Sequence, residues 1–201
     1  MAKKEWLSSE RRGKSSFYTL TDKGRDLLQE GQKRIYHASW DQDWNGKWFV
    51  LAYSIPEGDR SRRDRLRDRL AWLGFGSMGN GLWISPRDVE QDVHAISASL
   101  KLHDHLMCFQ ARPVNDLSDA ELVSRCWDLE ALHHSYTDFA LRWRAASDTA
   151  TAHTRAASDE SDVRAFVLRF ELIHEFRRFP LKDPFLPRAL LPKPWGGDDA
   201  T

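Results

Sequence analysis

The stretch Lys47–Pro86, KWFVLAYSIPEGDRSRRDRLRDRLAWLGFGSMGNGLWISP, constrains the fold of this chain more than any other. Trp48 to Ile55 is an almost unbroken apolar run closed by Pro56. A run of that length, rich in Val, Leu, Ile and aromatic residues, predicts a strand with neighbours on both sides rather than an edge. After the loop Pro56-Glu57-Gly58-Asp59 the apolar period changes: Leu66, Leu70 and Leu73 fall at i, i+4 and i+7 in a largely charged segment. That spacing predicts one apolar stripe on a charged helix, with Gly74 ending it at C′. Phe75–Met78, the turn Gly79-Asn80-Gly81 and Leu82–Ile84 then read as a β-hairpin. Ser85-Pro86-Arg87-Asp88 offers an N-cap, a proline at the first helical position and an early carboxylate. Val89, Val93, Ile96 and Leu100 continue at helical spacing, and His105–Ala111 reads as a fourth strand. Strand, helix, strand, strand, helix, strand is the split βαβ order. It closes as a four-stranded antiparallel sheet with two helices on one face.

The chain ahead of this block is basic. Residues 1–36 hold nine Lys/Arg against five Asp/Glu, a surplus of four, although the whole chain has zero formal net charge. Glu10-Arg11-Arg12-Gly13-Lys14-Ser15-Ser16 reads as a turn, with strand character in Phe17–Leu20. Thr21 is placed to cap a helix carrying Leu27, Leu28 and Ile35. A basic turn is ordinarily just solvated. Its functional reading is a wing whose tip holds phosphate or enters the minor groove. Residues 38–46 are a polar linker carrying Trp40 and Trp44.

Beyond Pro113 the pattern turns helical. Ser118 and Glu121 have the spacing of a capping box, and Leu129, Leu132, Tyr136, Phe139 and Trp143 form a long stripe. Ala145–Asp162 lacks an apolar period and is expected to be a flexible loop, centred on residues 147–161. Ala165–Phe179 is apolar around most of its circumference, which predicts a central helix of the C-terminal domain. Residues 180–195 contain five prolines and should run extended, pinned by Phe185, Leu186, Leu190, Leu191 and Trp195.

Motifs for chemistry are sparse. No Gly-rich phosphate loop, nucleophile elbow or HExxH is present. His103-x-His105 and His133-His134 lack companion ligands at metal spacing, so no metal and no cofactor is expected. Cys108 and Cys126 form no framework, and no segment has the length or apolarity to span a bilayer, so a reduced, cytoplasmic protein is expected. The arginines between Arg60 and Arg69 alternate with Asp64 and Asp68, the pattern of a solvated helix face. His174, Arg177 and Arg178 on one helix form a candidate anion site, unless the arginines bridge to Asp183 or Glu175.

Three long segments, ERRGKSSFYTLTDKGRDLL, WFVLAYSIPEGDRSRRDRLRDRLAWLGFGSMGNGLWISPRD and LIHEFRRFPLKDPFLPRALLPKPW, resemble signatures of the PaaX family, repressors of phenylacetic acid catabolism. The resemblance implies an α+β chain. Residues 1–37 would be the wing hairpin and helix of a winged-helix domain whose upstream helices the sequence lacks. Residues 38–46 would be a linker, 47–114 a ferredoxin-like βαββαβ domain, and 115–201 a C-terminal α-helical domain. It further implies a homodimeric, non-enzymatic repressor that binds operator DNA and is released by phenylacetyl-CoA or a similar acyl-CoA. Carried onto this chain, Arg11, Arg12, Lys14, Ser15, Ser16 and Tyr18 would contact DNA. His174, Arg177 and Arg178 would hold the anionic effector, with Trp143 or Trp127 lining its apolar end. The alternatives are a dimerisation or effector module that no longer touches DNA, and a metal-dependent nuclease on the central sheet. The second is disfavoured because Ser54 stands where such nucleases carry an acidic metal ligand.

Overall fold

A computed structural model describes residues 6–37, 40–114, 116–153 and 159–200. The chain divides into two units, residues 1–39 and 40–201. In the first, β1 (Leu7–Arg12) pairs antiparallel with β2 (Ser15–Leu20) around the turn Gly13-Lys14. Thr21 then accepts the backbone N–H of Gly24 on its hydroxyl at 3.1 Å, the N-cap expected of α1 (Asp22–His37).

In the second unit, β3 (Trp48–Tyr53) lies between β5 (Leu82–Ser85) and β6 (Leu106–Ala111), and β4 (Gly76–Gly79) lies outside β5. All pairs are antiparallel, so the strand order is β4-β5-β3-β6. The central position of β3 explains its continuous apolar sequence: both faces of it are covered in part. Phe49 and Leu51 meet the buried Leu66 and Leu70 of α2 (Arg60–Trp72) and Val93 of α3 (Glu90–Leu100) in one core with Phe75, Trp83 and Leu102. Trp48 belongs to the opposite face, where it stacks on Trp127 with ring centroids 6.1 Å apart. The β4–β5 turn uses Asn80 and Gly81 at φ 49° and 80°, the pair of positive dihedrals that a two-residue hairpin requires.

The start of α3 differs from the expectation. Ser85 is the buried last residue of β5, its hydroxyl accepts the Arg87 N–H, and the helix begins only at Glu90. The Ser-Pro-Arg-Asp signal marks a turn leaving the sheet, because the hydrogen bonds of β5 claim Ser85 first. Capping reads as expected at α4 (Asp119–Cys126), where Ser118 and Glu121 form a complete capping box.

The C-terminal helices carry two larger corrections. α5 (Leu129–His153) continues through nine residues of the segment expected to be a loop, and α6 (Asp159–Phe176) opens in that segment's last turn. Ala145–Ala152 is rich in alanine, which favours helix without needing an apolar face to bury. Over Ser147–Thr149 the missing period reflects a helix surface that is exposed. α6 is also not central: its Leu168, Leu172 and Phe176 are half-buried on one side, while its opposite side is exposed.

The proline-rich tail runs as expected, with Phe185, Leu186, Leu190, Leu191 and Trp195 all buried. Its anchor is Asp183, 0% exposed. One carboxylate oxygen accepts the Tyr136 hydroxyl at 2.9 Å and the Trp40 indole N–H at 3.1 Å, and the other accepts the Phe185 N–H at 2.6 Å. Burial first, and then the neighbouring Asp183 charge, push the Tyr136 phenol well above its ordinary value. A phenol whose folded-state value is raised contributes stability below the unfolded value near 10, and that contribution is lost as pH climbs past it. Tyr136→Phe is therefore expected to cost about 1 kcal/mol at neutral pH and to flatten the alkaline fall in stability. Urea midpoints measured from pH 8 to 11 check this; an equally steep fall in the variant would assign the alkaline loss elsewhere.

Candidate functional site

Two features could carry a function, one in each unit. The first is the basic hairpin. Opposed residues of an antiparallel pair share a face, so Arg11 lies with Ser16 and Tyr18, and Arg12 lies with Ser15, Glu10 and Phe17. The six residues expected to touch DNA are thus divided between the two faces. Arg12 is held by both oxygens of Glu10 at 3.0 Å and sits over the Phe17 ring. Its charge is matched locally. Among the described residues Arg11 reaches the Gly13 carbonyl alone, at 3.4 Å, and Lys14 stands at the turn. The positive field of the tip therefore comes mainly from Arg11 and Lys14.

The second is a groove of about 850 Å³ between α4, the start of α5 and the tail. Trp127 forms its floor. The residue leaves α4 directly over Gly76, where a Cβ would stand 2.7 Å from the indole. Its N–H donates to the Gly74 carbonyl at 3.2 Å, and its ring stacks on Trp48. Trp48 in turn contacts Trp44, which lines the groove, and donates its N–H to Asp119 at 2.9 Å. Leu190, Leu191 and Pro192 form the facing wall, with Arg125 and Lys193 among the lining residues. His133 accepts the Gly196 N–H on Nδ1 at 2.9 Å, which places the ring proton on Nε2. Stacked aromatic walls beside two cations suit a ligand with one flat apolar end and one anionic end.

Of the five residues singled out for an effector, Trp127 lines this groove and the other four do not. Trp143 donates its indole N–H to Glu175 at 3.1 Å, alongside Arg142, whose guanidinium reaches the same carboxylate at 2.5 Å. Burial raises the Glu175 carboxyl, but these two donors together outweigh it and hold the group below its usual range. His174 stacks on Phe170, while Arg177 and Arg178 are exposed and, among the described residues, neither forms an ion pair with Asp183, which accepts from Tyr136, Trp40 and Phe185. No local pattern marks Arg125 and Lys193, and His133 stood out only as half of a His-His pair, because the groove joins segments some 60 residues apart. Its one legible signal was the tail itself, since a proline-rich run held extended becomes a wall.

The histidines considered as ligands bond elsewhere. His103 meets the Ser97 hydroxyl at 3.3 Å and His105 the Ser54 carbonyl at 3.0 Å. Among the described residues no group of three or more His, Cys, Asp or Glu is placed to hold a metal, and no helix is long and apolar enough to cross a membrane.

Two family models match consecutive parts of the chain: the PaaX protein central Cas2-like domain over residues 41–123, and the PaaX-like protein C-terminal domain over residues 127–201. The chain belongs to the PaaX family. It is 36% identical over 202 residues to the transcriptional repressor PaaX of Escherichia coli (strain K12), covering 98% of this chain and 62% of the repressor's length. Among solved structures it is similar to the uncharacterized protein Rv0674 from Mycobacterium tuberculosis, with a TM-score of 0.56 and 23% identity over 96% of this chain and 70% of that one. At that identity the likeness to Rv0674 concerns the fold alone. The PaaX central-domain match covers the whole four-stranded sheet, and the C-terminal match covers the groove's Trp127, His133 and Lys193.

Proposed function

We propose that this chain is a ligand-responsive transcriptional repressor of the PaaX type, acting in the cytoplasm as a homodimer on operator DNA. The single observation that carries this reading is its 36% identity to a PaaX repressor over 98% of the chain. In this reading the β1–β2 hairpin is the wing of a winged-helix module. Arg11 and Lys14 contact phosphate, Ser15, Ser16 and Tyr18 support them along the backbone, and Arg12 chiefly holds the hairpin's shape. The β4-β5-β3-β6 sheet with α2 and α3 is the ferredoxin-like scaffold, and the groove over Trp127 takes the effector. An acyl-CoA such as phenylacetyl-CoA suits that groove: the aryl-acyl end lies against Trp127 and Trp44, and the anionic carrier reaches Arg125 and Lys193. Binding there releases DNA by favouring a dimer geometry that no longer fits the operator.

Thermal-shift titration with phenylacetyl-CoA tests the groove. Trp127→Ala or Lys193→Ala is expected to weaken the shift at least tenfold, while Arg177→Ala/Arg178→Ala leaves it unchanged. The opposite pattern would return the effector site to α6, with His174 and Trp143. Gel shift tests the wing: Arg11→Ala/Lys14→Ala is expected to lose about tenfold in affinity and to flatten the salt dependence, and Arg12→Ala to lose less. Failure of the chain to retard DNA at low salt would leave an effector-binding module.

A further inference from the structure

The groove over Trp127 holds a polar group whose tautomer the fold sets, the imidazole of His133. A backbone N–H can only donate. Nδ1, which takes the Gly196 N–H at 2.9 Å, is therefore an acceptor, and the ring proton stands on Nε2. The neighbouring His134 shows the opposite outcome. Its Nδ1 lies 2.8 Å from the Glu130 carbonyl, which can only accept, so there the proton stands on Nδ1. In their neutral forms the two adjacent histidines thus present opposite groups at Nε2, a donor from His133 and an acceptor from His134.

The His133 ring is also held in place. Gly196 packs so tightly on α5 that a Cβ there would stand 2.6 Å from the His133 carbonyl oxygen and 2.9 Å from the Thr137 hydroxyl. The buried Trp195 ring lies 6.1 Å from the imidazole. Moving the imidazole therefore means moving the tail.

We propose that the Nε2–H of His133 reads the thioester carbonyl of the effector, donating a hydrogen bond to that oxygen and selecting acyl thioesters over CoA conjugates that lack it. This rests on the groove being the effector site, and it names the chemical group recognised between the aryl end and the anionic carrier. The first support is that Nε2 is available. Among the described residues it has no hydrogen-bond partner, and the buried side-chain atom left unpaired is Trp195 Nε1, so His133 Nε2 is not sealed in the core. His133 is half-buried and lines the groove, which is where such a donor can be met.

Position is the second support. His133 stands four residues, about 6 Å, beyond Leu129, where α5 leaves Trp127. Its partner Gly196 follows Lys193 by three residues. The donor therefore lies close to both the aromatic floor and the cationic wall, as a carbonyl joining an aryl group to an anionic carrier requires. The third support is chemical economy. A side chain that only tied down Gly196 would need an acceptor and nothing more, and an asparagine oxygen could supply one. A neutral imidazole adds a fixed donor on its far side, which meets a carbonyl without bringing a charge to it.

That difference gives the test. Isothermal titration calorimetry on the full chain compares phenylacetyl-CoA with S-(2-phenylethyl)-CoA, the thioether without the carbonyl. The wild-type chain is expected to bind the thioester about tenfold more tightly. His133→Asn, whose amide oxygen can still accept from Gly196, is expected to keep the wild-type melting temperature and to bind both compounds with the thioether's affinity. Trp127→Ala is expected to weaken both compounds alike. Imidazole nitrogen NMR spectra of the unsubstituted chain add a readout that needs no stable variant: one Nε2–H signal is expected to move with phenylacetyl-CoA and to stay with the thioether. Equal wild-type affinities, a preference that persists in His133→Asn, or no such selective signal overturns the role of His133. The groove reading stands in those cases as long as Trp127→Ala weakens both compounds. Binding that Trp127→Ala leaves intact overturns the groove as effector site, and this role with it.

Discussion

Asp183→Ala is expected to cost about 3–5 kcal/mol, the loss typical when one member of a buried charged network is removed. The alanine would leave the Tyr136 hydroxyl, the Trp40 indole N–H and the Phe185 N–H without the acceptor they share. Each is a donor inside a packed aromatic cluster, where Trp40 contacts Tyr136, Phe185 and Trp195 with ring centroids 5.9 to 6.3 Å apart. Water cannot replace the carboxylate there without opening the cluster. Asp183→Asn keeps the volume and one acceptor oxygen, so about 1–3 kcal/mol is expected, the remainder reflecting an amide N–H₂ turned toward donors. Urea midpoints measure both. A loss under about 1 kcal/mol for the alanine variant would show that the tail is held by its apolar side chains alone, without the carboxylate.

Asp183 also shows why part of this molecule could be read from sequence and part could not. Features whose cause lies within one or two turns were legible. The Trp48–Tyr53 run declared a central strand, Leu66 and Leu70 declared the buried side of α2, Asn80-Gly81 declared a turn, and Ser118 with Glu121 declared a helix start. Each of these follows from spacing and local hydrogen bonding. Trp40 and Asp183 are 143 positions apart, and nothing local distinguishes this aspartate from its neighbours. The same limit hid the groove, whose two walls meet only once Trp127 has settled over Gly76. Where sequence reading went astray, a local signal met a competing tertiary demand. Ser85 reads as a helix cap, but the ladder of β5 holds it. α6 reads as buried because it is apolar, although hydrophobicity reports only that a surface needs a cover. It does not say that the same fold supplies it. On the candidate site, sequence placed the arginines of the hairpin but could not divide Arg12, which Glu10 neutralises, from Arg11, which it does not.

Gly74→Ala is expected to be a strongly damaging small substitution, at about 3–4 kcal/mol. Two independent penalties combine at this position. Its φ of +84° lies in the left-handed region, which costs a residue with a Cβ about 1–2 kcal/mol. The added Cβ would also stand 2.6 Å from the Pro184 carbonyl oxygen and 3.0 Å from the Arg87 guanidinium. Pro184 is backbone, follows the fully buried Asp183 and precedes the buried Phe185, so it has little room to retreat. Arg87 is also committed, since it donates to the Leu73 carbonyl. Gly46 provides the comparison. Its φ is +74°, but the nearest atom to an added Cβ is the flexible Arg112 guanidinium at 3.4 Å. Gly46→Ala is therefore expected to show only the backbone penalty, about 1 kcal/mol, and the difference between the two variants isolates the contact between the end of α2 and the tail. Urea midpoints give that difference. Trypsin locates it, because Lys182 and Arg188 flank Pro184 and cleavage there should accelerate in Gly74→Ala but not in Gly46→Ala. Equal losses in the two variants would mean that the tail yields to the new methyl, and that Pro184 is not a fixed wall of the central domain.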